Sequence, residues 1–145
     1  MISFNRRASF GSWTGVLGVA LLAALLSACG GAPTSPTAIS VAGTWVGSNT
    51  NSLAPGSRPA QATIAQSGTN LSGTWSATTP GGPDSGPLSG SLAGNTVSIS
   101  FFSAIPQGAC HYDVTATVSG NQMTGTWTTV TCVTPATGTL TLTKQ

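Results

Sequence analysis

Few side chains in this sequence are equipped for chemistry. Cysteines stand at positions 29, 110 and 132, the single histidine lies in the run Cys110-His111-Tyr112-Asp113, and Trp45, Trp75 and Trp127 each close a Gly-Thr-Trp triplet. A thiolate is the reactive form of cysteine, so an accessible thiol behind small residues invites modification, whereas two thiols in an exported chain pair as a disulfide. His111 and Asp113, two residues apart in an extended segment, share a face, which is the minimum for a base and its orienting partner. Catalysis would also need a nucleophile within reach of that base and an oxyanion site, and no Gly-x-Ser-x-Gly elbow occurs. One histidine and no clustered carboxylates do not make a typical metal site. The expectation is a non-enzymatic chain without metal or other cofactor.

Cys29 has a distinctive setting. Arg6 and Arg7 precede an unbroken apolar run from Gly15 to Leu26, too short to cross a bilayer core of about 30 Å as a helix. The run ends in Leu26-Ser27-Ala28-Cys29, which resembles the lipobox of bacterial lipoproteins. That resemblance implies residues 1–28 as a cleaved signal peptide, diacylglycerol on the Cys29 sulfur and acylation of its new amino group. Gly30 in place of Asp implies an outer-membrane destination by the family's sorting habit. Whether export uses the general or the twin-arginine route stays open.

Cleavage there leaves 117 of the 145 residues, enough for one domain with a modest core. The formal charges of that part are Arg58, Asp84, Asp113 and Lys144, which cancel. With no basic patch, neither nucleic acid nor an anionic lipid surface is an expected partner, so the membrane is reached through the lipid alone. Residues 29–39 lack any apolar alternation and read as a lipidated tether, leaving 40–145 as the folded domain.

Almost every later segment is strand-like, with abundant Thr and Val, no helical spacing, and Gly or Pro recurring before a helix could establish itself. Eight strands are predicted near 40–48, 59–66, 70–78, 87–93, 95–103, 109–118, 122–132 and 137–144. An all-β, up-and-down antiparallel barrel pairs them without an open edge. Ser67 to Trp75 (SGTNLSGTW) is echoed by Ser119 to Trp127 (SGNQMTGTW), and period-2 alternation directs Trp45, Trp75, Leu92 and Trp127 inward. These Gly-Thr-Trp signatures loosely resemble the avidin and streptavidin family, or small lipocalin-like barrels. The avidin likeness implies a biotin pocket in the barrel mouth, yet Gly47 stands where that family offers Asn, Trp75 where it has Tyr, and Ala77 where it has Ser. Trp127 matches a ligand-stacking Trp, but the last strand has no Asp, so the architecture carries over and biotin binding does not.

Connections of such a barrel alternate between its ends. Tight turns are predicted at Ser67 to Asn70, Ala93 to Asn95 and Ser119 to Gln122, and longer connections at Asn49 to Arg58, Thr79 to Gly86, Ala104 to Gly108 and Val133 to Ala136. Cys110 and Cys132 flank the sixth and seventh strands symmetrically and are expected to bond; strict alternation would put one inside and one outside, so a bulge is predicted between these strands. Trp45, Trp75, Trp127 and Tyr112 are the candidate ligand-binding residues, although in a small closed barrel such side chains can simply fill the interior. The expected function is that of a lipid-anchored barrel at the outer membrane, presenting its long-loop end to a small ligand or a protein. A hydrolase-directed envelope inhibitor and a purely structural envelope protein are the alternatives.

Overall fold

The structure, a computed structural model, describes residues 39–104 and 110–145. The apolar run, Cys29 and the tether up to residue 38 lie outside the described residues, as does most of the predicted connection at 104–108. Eight strands follow in chain order: β1 Gly43–Asn51, β2 Ala54–Ser67, β3 Asn70–Thr79, β4 Gly82–Ala93, β5 Thr96–Phe102, β6 His111–Ser119, β7 Gln122–Thr129 and β8 Thr137–Lys144. Each pairs antiparallel with its neighbours in sequence, and β8 returns to β1, so the sheet closes as an eight-stranded up-and-down barrel.

The tight turns share one end, as their sequences predict. At Gly68, Gly94 and Gly120 the backbone takes φ of 61°, 61° and 58°, a left-handed conformation that glycine adopts without a Cβ penalty. This end is closed by the chain entering the barrel. The Val41 N–H donates to Gln66 Oε1 (2.7 Å), Gln66 Nε2 donates to the Ile39 carbonyl (3.2 Å), and Trp45 Nε1 donates to the Val41 carbonyl (2.8 Å). These bonds satisfy the Val41 amide, the Ile39 and Val41 carbonyls and the Trp45 indole in this floor.

The other end departs from expectation. Asn51 pairs with Ala54 across a two-residue turn, and Thr79 pairs with Gly82 likewise, so the segments read as long loops at 49–58 and 79–86 are hairpins. Strands β2 and β4 are correspondingly longer than predicted. Proline is admitted because these extensions have a regular ladder on one side only: β2 meets β3 from Ala60 onward, and β4 meets β5 from Leu88 onward, with a bond from the Ala104 N–H to the Ser85 carbonyl (2.8 Å) beyond it. Pro55, Pro59, Pro83 and Pro87 all precede those points; Pro87 stands opposite Phe102, whose carbonyl accepts from Trp75 Nε1 instead.

Inward positions are filled unevenly along the axis. Along β2 they run Ile64, Ala62, Ala60 from the closed end to the open one, and large aliphatics such as Leu71, Val97, Met123 and Leu142 gather at the closed end. Alanine replaces them toward the open end, and space follows.

Candidate functional site

That space is a cup of about 320 Å³, walled by Trp75, Phe101, Tyr112 and Trp127, with Ala60, Ala62 and Leu140 below and Asn49, Asn51 and Thr129 among its polar neighbours. Alternation accounts for the walls. Trp75 follows Leu71 and Gly73 on the inner face of β3, Phe101 follows Val97 and Ile99 on β5, Tyr112 precedes Val114 and Ala116 on β6, and Trp127 follows Met123 and Gly125 on β7.

The rings are set against one another. Trp75 stacks on Phe101 with centroids 5.1 Å apart and planes 11° apart, and Tyr112 stands edge-on to both Trp75 (5.5 Å, 75°) and Trp127 (5.8 Å, 82°). These are the offset and perpendicular arrangements that the ring quadrupole favours. Hydrogen bonds fix them further. Trp75 Nε1 donates to the Phe102 carbonyl (3.2 Å) and Trp127 Nε1 to the Thr50 carbonyl (3.1 Å). Gly138 makes room for the Trp127 indole, since a Cβ there would lie 2.6 Å from its Cε2 and closer still to the Thr50 carbonyl oxygen.

Behind Tyr112 lies Asp84, a buried carboxylate on the inner face of β4. Its Oδ2 accepts from the Tyr112 hydroxyl (3.1 Å), and its Oδ1 accepts from Ser103 Oγ and the Ser85 N–H (2.7 Å each). Burial pushes the Tyr112 phenol up to about 12, and the charge and hydrogen bond of Asp84 push in the same direction. The phenol therefore stays protonated, as a fixed donor, at any physiological pH.

No protein-family model, curated protein or solved structure matches this chain.

The structure brings Trp75, Tyr112 and Trp127 together and sets Trp45 apart. Trp45 has no exposed surface, belongs to the closed-end core and takes no part in the cup's lining, so the three tryptophans do not form one platform. Cys110 and Cys132 are disulfide-bonded with Cα atoms 4.6 Å apart, and both border the cup. The bulge predicted between their strands is not needed. The β6–β7 ladder is regular, with Ser119 opposite Gln122 and Tyr112 opposite Thr129, and β7 ends there. Cys132 lies beyond it in irregular chain, free of strand alternation, and so can turn toward Cys110.

His111 and Asp113 sit on the outer wall. His111 Nε2 approaches Asp113 Oδ1 at 3.0 Å and the imidazole stacks on Phe102 (4.7 Å), but the Ser100 hydroxyl donates to Asp113 rather than to the histidine. The neighbouring hydroxyl is thus tied to the carboxylate, the imidazole nitrogen lies beside it without a hydrogen bond, and all three stand outside the cup. Phe101 and Asp84 are site residues that sequence reasoning missed. Phe101 shares parity with Val97 and Ile99 inside the predicted fifth strand, so alternation alone places it inward, whereas Asp84 shares parity with Leu88 and Leu92 and is placed inward only once β4 is extended through Pro83 and Pro87.

Proposed function

We propose that this chain is a non-enzymatic, lipid-anchored barrel of the cell envelope, residing at the outer membrane, that holds a small ligand in its open-end cup. The single observation that carries the ligand is the void itself: about 320 Å³ walled by four aromatic rings whose polar atoms are bonded to the protein. Such a cup lies within the usual size of a small-molecule site, and an eight-stranded barrel is wide enough for one small ligand. A hydrolase-directed or purely structural barrel would be served equally well by a filled interior, so the void favours the ligand. The anchor rests on Leu26 to Cys29, and the described chain enters the barrel at the closed end, opposite the cup.

Two experiments test this reading. Changing Cys29 to Ser should abolish labelling by a clickable fatty acid, and labelling that survives removes the anchor. Full-length protein purified from its own membranes should yield, on denaturation and solvent extraction, a small molecule that is missing from the Ala62→Phe variant, whose added ring occupies the cup. Identical extracts from the two proteins would remove the ligand.

A further inference from the structure

The cup has a charge behind it that, among the described residues, nothing of opposite sign neutralises. The partners of the Asp84 carboxylate, Tyr112, Ser103 and the Ser85 N–H, are all neutral. The described cations are engaged elsewhere. Arg58 folds its guanidinium onto the carbonyls of Ala54, Pro55 and Gly56, and Lys144 Nζ donates to the Ser40 carbonyl at the closed end. A phenol donating to a carboxylate is polarised toward phenolate, which makes the face of its ring more negative. Tyr112 stands nearly perpendicular to both Trp75 and Trp127, so the three rings form three sides of a box.

The polar atoms of the aromatic walls, and of Thr129 beside them, are already committed. Both indole N–H groups and the phenol O–H are donated to protein acceptors, and Thr129 Oγ1 both donates to the Ala136 carbonyl and accepts from the Ala136 N–H. A ligand group that needs hydrogen bonds gains little there, and an anion would be desolvated without a partner. A cation that carries no N–H loses least and gains the attraction of the ring faces.

We propose that the cup receives a quaternary ammonium group, with Trp75, Tyr112 and Trp127 as its walls and Asp84 as the charge that favours it. This rests on the reading of the cup as a ligand site. The same group is carried by free choline-like solutes and by phosphocholine lipid heads.

Calorimetric titration of the full-length protein with choline and with its neutral isostere 3,3-dimethyl-1-butanol separates charge from shape. Choline should bind about tenfold more tightly, the scale of a desolvated cation–π contact. Asp84→Asn should weaken choline about tenfold and leave the isostere unchanged, whereas a purely structural role would weaken both. Trp127→Phe, which keeps a ring of weaker attraction, should cost choline about threefold and the isostere nothing, and provides the same contrast if Asp84→Asn does not fold. Binding of choline assigns a free solute, and binding of monomeric short-chain phosphatidylcholine, below its micelle concentration, without choline assigns a lipid head; either supports the proposal. Equal or tighter binding of the isostere overturns it and leaves the cup a ligand site. Binding of none of these probes, while the extraction experiment yields a ligand, overturns it in the same way. Identical extracts from wild type and Ala62→Phe would instead overturn the reading beneath it.

Discussion

The two ends of this barrel are built by the same strands with the same alternation, yet one is solid and the other hollow. Strand β3 shows both conditions within a few residues: Leu71 is packed into the floor, and Trp75, two inward positions further on, faces the cup. At the closed end the inward residues are large, and the entering chain adds Ile39 and Val41 to fill the remaining gap. At the open end alanines stand beside aromatics, and the aromatics brace one another instead of meeting across the axis. Direction is set by alternation, whereas occupancy is set by side-chain volume summed around the ring. A binding cup in a small barrel thus needs no departure from barrel geometry, only smaller residues at inward positions near one end.

The comparison can be broken first at the floor. Trp45→Ala should cost about 3–5 kcal/mol, the range for deleting a buried aromatic side chain, read from the urea midpoint of the exported protein. Trp127 is only half-buried at the rim, so Trp127→Ala should cost roughly half as much, about 2 kcal/mol. Equal costs would mean that the cup wall is as tightly packed as the floor, and the distinction between the two ends would fail.

The disulfide sharpens the contrast, because it lies wholly at the hollow end. Cys110 and Cys132 are 22 residues apart, for which the chain-entropy model gives about 3 kcal/mol. Reduction should lower the unfolding free energy by that much. Hydrogen exchange should then accelerate first in the segments near 110 and 130–136, while Val97, Val118 and Met123 in the floor keep their protection. Uniform acceleration through both ends would show that the cup has no stability of its own to lose.

Much of this was legible in the residues. The eight strands and the turns at Gly68, Gly94 and Gly120 follow from alternation and turn chemistry, both local properties. The pairing of Cys110 with Cys132 follows from their symmetric placement about one hairpin. What was not legible depended on neighbours. Pro55, Pro59, Pro83 and Pro87 read as loop because a proline is admitted to a strand only where one side lacks a partner, and that is a property of the sheet rather than of the segment. Asp84 was concealed by the same prolines. The cup was concealed more deeply, since Ala60, Ala62 and Ala77 acquire meaning only when the register sets them beside Trp75 and Leu140. Trp45 and Trp127 share a triplet and an inward direction, but only their positions along the axis put one in the floor and the other in the wall.

The smallest effect is also the most direct report on the wall. Tyr112 is the only tyrosine in the chain, so phenolate absorbance belongs to one residue. Its folded pKa stands at about 12 against an ordinary 10.0, through burial and through Asp84. An acid whose folded pKa is raised binds its proton more tightly in the native state, so between pH 10 and 12 the unfolded chain releases a proton that the folded chain keeps. Stability from this group is therefore complete below pH 10 and is lost as the pH rises toward 12. Absorbance titration of the native protein should show the phenolate appearing near pH 12, and in Asp84→Asn it should appear at lower pH, because the charge and its hydrogen bond are gone while the burial remains. A phenol that titrates near 10 in the native protein would mean that Tyr112 stands in open water, and the box of rings would lose the side that connects it to Asp84.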